Sequence, residues 1–254
     1  CEISRVEGMS LGLGFPNRDA YIIGKRVLKY KDIGKIPVLF RRLNWRLAVK
    51  NRFSWSSPIL GLVRSLSATG YKSYFRMKSF KRRGDVKVRV VNSFDERFDI
   101  LWERVKKQYN IIGVRDQRYL KWRYNRPGKD YEIIVAEKEN ELVGYLVTSV
   151  NRDGDGSVGY IVDLLSIDDY AEVGTALIRE ALMRLVSRKV DYVLCWMLPD
   201  KKGYKVMRGL GFREKEAFPA INSVYLIFDT DNLDDSVVKD IKNWYFTMAD
   251  SDVF

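Results

Sequence analysis

The sequence predicts an α/β protein built on a mixed central β-sheet with helices on both of its faces. Three observations predict it. Strand-like and helix-like stretches alternate from residue 86 to residue 228. Two apolar runs, residues 160–165 and 192–198, read as central strands buried on both sides. Between them lies an amphipathic stretch, residues 172–188, which returns the chain as a helix and makes those strands parallel neighbours.

The elements follow in order along the sequence. Residues 10–14 read as a strand, Phe15-Pro16-Asn17 as a turn, and residues 20–28 as a short helix. Ile33-Gly34 reads as a turn before a strand at 37–42. Residues 44–84 are basic and aromatic, with apolar bursts at 58–63 and 71–80, and read as a linker carrying one or two packed helices. A second unit begins at Val86 with an alternating strand over 86–91. Ser93 and Glu96 form a capping box for a helix over 94–109, in which Phe98, Leu101, Trp102 and Val105 keep helical spacing. Asp116 caps a second helix carrying Tyr119, Leu120 and Trp122, which ends before Pro127-Gly128. Residues 131–137 and 142–150 form a hairpin. A strand at 158–167, the helix 172–188, a strand at 191–198, a short helix at 201–209 and a strand at 223–228 follow. Residues 235–245 read as a terminal helix.

Composition narrows the chemistry. The chain has 254 residues and no histidine, which removes imidazole bases and the commonest metal ligand. Of its two cysteines, Cys1 and Cys195, the second sits in an apolar strand and reads as a small buried hydrophobe. No disulfide framework and no metal site are expected, which fits a reducing cytoplasm. No uncharged apolar run of about 18 residues is present. The net charge of +12 is unevenly placed. Residues 1–90 hold 21 Lys/Arg against 5 Asp/Glu, and residues 33–84 hold 13 basic side chains and no acidic one. Phe40, Trp45, Phe53 and Trp55 interleave with Arg41, Arg42, Arg46 and Arg52. The pattern suits a solvated basic face, an anionic membrane surface or RNA.

Residues 191–212, DYVLCWMLPDKKGYKVMRGLGF, carry a strand, a short helix and Leu210-Gly211-Phe212. With the strand and helix before them they resemble the second half of a GNAT-type N-acyltransferase. Residues 9–43 resemble the closing elements of another such domain: Gly14–Asn17 as Gly-Phe-Pro-Asn, a short helix, and Leu28-Lys29-Tyr30 where Leu-Gly-Phe stands in the first case. Together with RDQRYLKWRY at 115–124 and WYFTMADSD at 244–252, the chain is similar to tandem-GNAT proteins of surface-polysaccharide type, cut within the first domain. The resemblance implies three regions: a first-domain remnant at 1–43, a basic linker at 44–85, and a second GNAT-like domain at 86–254. Residues 9–43 would then form a separate partial sheet with an exposed edge.

The resemblance also implies acyl-CoA as donor and an amine as acceptor, on a sugar or cell-surface precursor. The family holds the pyrophosphate on an Arg/Gln-x-x-Gly-x-Gly/Ala turn and often protonates the leaving thiolate with a Tyr. Here the turn positions carry Asp169, Tyr170, Glu172 and Gly174, of which Gly174 alone matches. Like charges there repel a pyrophosphate by roughly 1–3 kcal/mol each. Met207 stands at the proton-donor position and Asp200 at a cofactor-holding Asn position, while Asn17 matches that Asn in the first-domain remnant. Asn17 also reads as a helix cap. The donor would therefore be held mainly by an upstream first domain. Arg115, Tyr119, Trp122 and Arg123 are the candidate acceptor-binding residues, aromatic faces for a sugar and guanidinium groups for its hydroxyls or carboxylates; core packing is the other reading of the aromatics. The second function class is a non-catalytic GNAT-like module that binds acceptor or anchors to an anionic membrane or nucleic acid, as in relatives of aminoacyl-tRNA-dependent transferases. Cytoplasmic location, peripheral to a membrane, fits either class.

Overall fold

The computed structural model describes residues 9–43, 86–126, 128, 130–153, 156–167, 170–228 and 234–251. The linker expected at 44–85, with all of its charge, lies outside these residues, as do Asp168 and Asp169. The first described elements are β1 (Leu11–Gly14), α1 (Arg18–Ile23), β2 (Lys31–Ile36) and β3 (Val38–Arg42). Then come β4 (Lys87–Val91), α2 (Arg97–Val105), β5 (Ile111–Ile112), α3 (Gln117–Tyr124), β6 (Tyr131–Lys138), β7 (Glu141–Asp153) and β8 (Gly156–Ser166). The last are α4 (Thr175–Ser187), β9 (Tyr192–Trp196), α5 (Lys202–Gly209), β10 (Arg213–Glu214), β11 (Ile221–Ile227), α6 (Asp235–Val238) and β12 (Trp244–Tyr245).

A seven-stranded sheet runs in the order β10-β3-β9-β8-β7-β6-β4. Only β8 and β9 are parallel within it; the remaining neighbours are antiparallel. Successive side chains of a strand point to opposite faces, and β7 shows both faces covered. Tyr145 meets Phe98 of α2 with ring centroids 5.6 Å apart. A Cβ on its neighbour Gly144 would come within 3.0 Å of Val173, ahead of α4. Helix α4 buries Leu177, Ile178, Ala181, Leu182 and Leu185, the spacing of one helical face. Each large side chain so buried contributes about 1.5–3 kcal/mol.

Residues 11–42 and 192–227 repeat one order: strand, short helix, strand, strand. In both, the helix is followed by a residue with left-handed backbone, Lys29 at φ 59° and Gly211 at φ 92°. Pro16 to Lys29 is one residue longer than Pro199 to Gly211. A π-helical turn at Gly24–Leu28 takes up the extra residue. The repeats exchange their last strands. β11 lies between β1 and β2, and β3 lies between β9 and β10, all antiparallel.

This exchange corrects the separate sheet expected of residues 9–43. β1 and β2 stand in a three-stranded sheet completed by β11, and β3 belongs to the large sheet. The reason is burial: Val38, Leu39 and Phe40 are all buried, so β3 needs neighbours on both edges and both faces.

Three local expectations are also corrected. Ile33-Gly34 is not a turn; β2 passes straight through it, and the register slips by one residue opposite Ser223 and Val224, a bulge at Ile33. The first helix of the second unit starts at Arg97 rather than Phe94, because Phe94 turns inward against Phe98 and Tyr124. The Asp95 carboxylate, not Ser93, receives an amide there, from Arg97 at 3.1 Å. The terminal helix stops at Val238: the Trp244 indole donates to the Val238 carbonyl at 2.7 Å and turns the chain back as β12. Among the described residues no helix is long and apolar enough to cross a membrane.

Candidate functional site

β8 and β9 pair from Val158–Tyr192 to Ile161–Cys195 and then part. β8 continues to Ser166 along β7, while β9 ends at Trp196. The cause is in β8: its register against β7 shifts at Val147/Thr148, leaving Val162 as an extra residue. Such a bulge bends a strand and raises its twist, so residues 162–166 lose β9 as a partner and a cleft opens.

The C-terminal segment enters this cleft. β12 pairs in parallel with β5, which aims Tyr245 at the parted strand. The Tyr245 hydroxyl donates to the Leu164 carbonyl. The Thr247 hydroxyl donates to Asp163 Oδ1 at 2.9 Å. Thr247 and Asp250 cap one another: the Thr247 amide donates to Asp250 Oδ2 at 2.9 Å, and Thr247 Oγ1 accepts from the Ala249 amide at 3.3 Å. Trp244 stacks on Phe246, Phe246 meets Phe15 edge to face, and Phe15 lies tilted against Trp196 at the end of β9. Tyr245 and Phe246 are each 1% exposed, so the segment is part of the core.

A buried charge cluster locks the arrangement. Arg115, ahead of α3, lies 2.8 Å from Asp250 and 3.5 Å from Asp163. It also donates to the Gly113 carbonyl at 2.7 Å and to Thr247 Oγ1 at 3.2 Å. Burial works against the Arg115 charge, but the carboxylates of Asp250 and Asp163 outweigh it and hold the guanidinium charged. Burial pushes the Asp250 carboxyl up from its ordinary range, with Arg115 opposing. Asp163 accepts from the Tyr145 hydroxyl at 2.7 Å and the Leu164 amide at 3.1 Å as well as from Thr247. Its oxygens are engaged by protein donors, which leaves it no role as a base toward a bound amine.

The expected site residues divide. Arg115 and Arg123 are 1% and 2% exposed, and both face inward. Arg123 donates to the Ala249 carbonyl at 3.2 Å and the Ser251 carbonyl at 2.7 Å. Acceptor binding by these two is corrected: they fasten residues 247–251 to the fold and present no surface to a solute. Trp122 is 62% exposed, and Tyr119, partly buried against the core, lies beside it with ring centroids 5.6 Å apart. The Arg126 guanidinium lies 5.1 Å over the Trp122 ring, a partner that sequence spacing did not single out. Asn17 caps α1, its Oδ1 accepting from the Ala20 amide at 2.9 Å.

Gly174 ends a π-helical turn, Tyr170–Gly174, that runs directly into α4 with right-handed backbone at Gly174. Met207 is fully buried, its sulfur 3.2 Å from the Cys195 thiol. Asp200 pairs with Lys201 at 2.7 Å. These residues do not fit a coenzyme A held in the way the resemblance implies. The strand carbonyl at Leu164 is engaged by Tyr245, the proton-donor position is a core thioether, and Glu172 stands beside the helix start. Asp163, Thr247, Tyr245 and Asp250, which meet where β8 and β9 part, were missed as a group. Two signals were present: Thr247-x-x-Asp250, a capping pattern, and Asp163 alone in an apolar strand.

Residues 94–212 match the family model described as "Acetyltransferase (GNAT) family". No curated protein matches the sequence. The chain superposes on a GCN5-related N-acetyltransferase from Anabaena variabilis with TM-score 0.53 and 10% identity, over 90% of this chain and 48% of that one. A probable N-acyltransferase from Enterococcus faecalis gives TM-score 0.52 and 10% identity, over 89% and 47%. A GCN5-related N-acetyltransferase from Kribbella flavida gives 0.51 and 14%, over 89% and 45%. The chain thus spans about half the length of each. Sheet order, the parted parallel strands and the matched stretch agree: the chain has the GNAT acetyltransferase fold, and residues 94–212 are similar to the GNAT family model.

Proposed function

We propose that the chain is part of an N-acyltransferase that moves an acyl group from acyl-CoA to an amine on a sugar or cell-surface precursor. The observation that carries this is the parting of β8 from β9 at Ile161–Cys195 in a GNAT sheet. Because Tyr245 and Met207 stand against cofactor binding at this cleft, the donor is held mainly by another GNAT-like unit, upstream of this one. The exposed Trp122 with Tyr119 supports a sugar acceptor, since aromatic faces stack on the apolar faces of sugars and the neighbouring Arg126 suits hydroxyl or carboxylate groups.

The test is release of free CoA thiol from acetyl-CoA across a panel of amino sugars, using the polypeptide with its natural upstream sequence. Amine-dependent turnover with a raised KM in Trp122→Ala supports the reading. Acetyl-CoA that goes unconsumed with every amine moves the assignment to a second one, favoured by the Tyr245–Leu164 bond: a non-catalytic module for acceptor binding or for anchoring. In that case residues 33–84 take an anionic membrane or RNA, and binding falls steeply with salt. Binding that ignores salt, or none at low salt, leaves those residues as a solvated basic face.

A further inference from the structure

Six of the large apolar side chains left most exposed fall in one 20-residue stretch: Met9, Leu13, Ile22, Ile23, Val27 and Leu28, between 40% and 69% exposed. Met9 lies just ahead of β1, and the others belong to β1, α1 and the π-helical turn after it. β1 has β11 on one side and no described strand on the other. A short apolar edge beside an uncovered helix is a surface that soluble chains avoid unless something covers it.

The internal repeat says what that is. β9 and α5 are the counterparts of β1 and α1. β9 takes an exchanged antiparallel strand, β3, on one edge and the parallel strand β8 on the other. α5 packs against the π-helical turn before α4 and against α4 itself. There Val206 and Leu210 are partly buried against the core; their counterparts on the first repeat, Ile23 and Leu28, are 59% and 48% exposed. The first repeat has its exchanged strand, β11, and lacks only the parallel strand and the helix. A strand, a helix and a parallel strand join by a right-handed crossover in nearly every protein, so the missing pair enters the chain before β1.

We propose that the open edge of β1 and the apolar face of α1 form the docking surface for a strand–helix unit upstream of residue 9 in the same polypeptide. The strand pairs in parallel with residues 11–14, and the helix covers Ile23, Val27 and Leu28. The inference rests on the upstream unit of the proposed function, and its test reads no activity, so the two fail separately.

The experiment compares amide hydrogen exchange and thermal unfolding in this chain and in the polypeptide with its natural upstream sequence. The expected result is that the amides of residues 11–14 that point away from β11 gain at least ~100-fold protection in the longer polypeptide. Val27→Asp leaves the melting temperature of this chain unchanged but lowers that of the longer one by several degrees. Three results overturn the proposal: equal exchange at residues 11–14 in both proteins, an upstream sequence without a strand–helix stretch, or a dimer of this chain that protects the same amides, which makes a second copy the occupant.

Discussion

Lys29 and Gly211 stand at one position in two repeats, each just past a short helix with a left-handed backbone, φ 59° and 92°. Only glycine takes that conformation without cost. Lys29→Gly is therefore expected to stabilise the protein by about 0.5–1 kcal/mol. Gly211→Ala costs about 1–2 kcal/mol through backbone strain alone, since a Cβ there meets nothing nearer than Arg41 at 3.7 Å. Urea unfolding of both variants checks the pair; equal and opposite signs from these expectations would break the repeat assignment.

One guanidinium balances two buried carboxylates at Arg115, Asp163 and Asp250. Arg115→Met leaves two uncompensated charges and is expected to cost about 3–5 kcal/mol at neutral pH. Asp250→Asn keeps an acceptor and removes the surplus charge, so about 1 kcal/mol is expected. The pH dependence has a definite sign. Burial raises the folded Asp250 pKa above its unfolded value of 3.8. Between the two values the folded state binds more protons, so its contribution is complete below 3.8 and is lost as pH rises through the folded pKa. Wild type should gain on Asp250→Asn as pH falls toward 3.8, and Arg115→Met should recover most on acidification. Unfolding free energies measured from pH 7 down to about pH 4 test this; a deficit in Arg115→Met that grows on acidification would refute it.

Met207 and Cys195 meet sulfur to sulfur at 3.2 Å in a fully buried site. Burial pushes the Cys195 thiol pKa well up, so no thiolate forms near neutral pH. Iodoacetamide with peptide mapping should leave Cys195 unmodified until urea unfolds the chain. Met207→Tyr, which restores the proton donor expected at that position, should overpack the core by about 1–3 kcal/mol without improving turnover of acetyl-CoA. A Met207→Tyr variant as stable as wild type and newly active would show the site to be open.

Much of the fold was legible because alternation and apolar runs are local: residues 131–150, 172–188 and 192–196 announce a hairpin, a helix and a buried strand in themselves. Strand exchange was not. Partners such as Val38 and Trp196 are separated by the whole linker, and a strand does not carry the identity of its neighbour. The site was half legible. Arg123, Tyr119 and Trp122 lie around α3 with Arg115 just ahead of it, and sequence cannot tell whether a guanidinium turns inward when aromatics stand on both sides. Asp163, alone in an apolar strand, was a mark of the buried cluster, since a lone carboxylate in such a strand requires partners.

The chain's own Tyr245–Thr247 segment bonds to β8 where β8 and β9 part, and it is expected to keep acetyl-CoA out of this unit. Isothermal titration of the 254-residue chain with acetyl-CoA tests it most directly. The account predicts no saturable heat up to about 1 mM ligand, weaker than about −4 kcal/mol of binding free energy. Saturable binding with a micromolar Kd would contradict it.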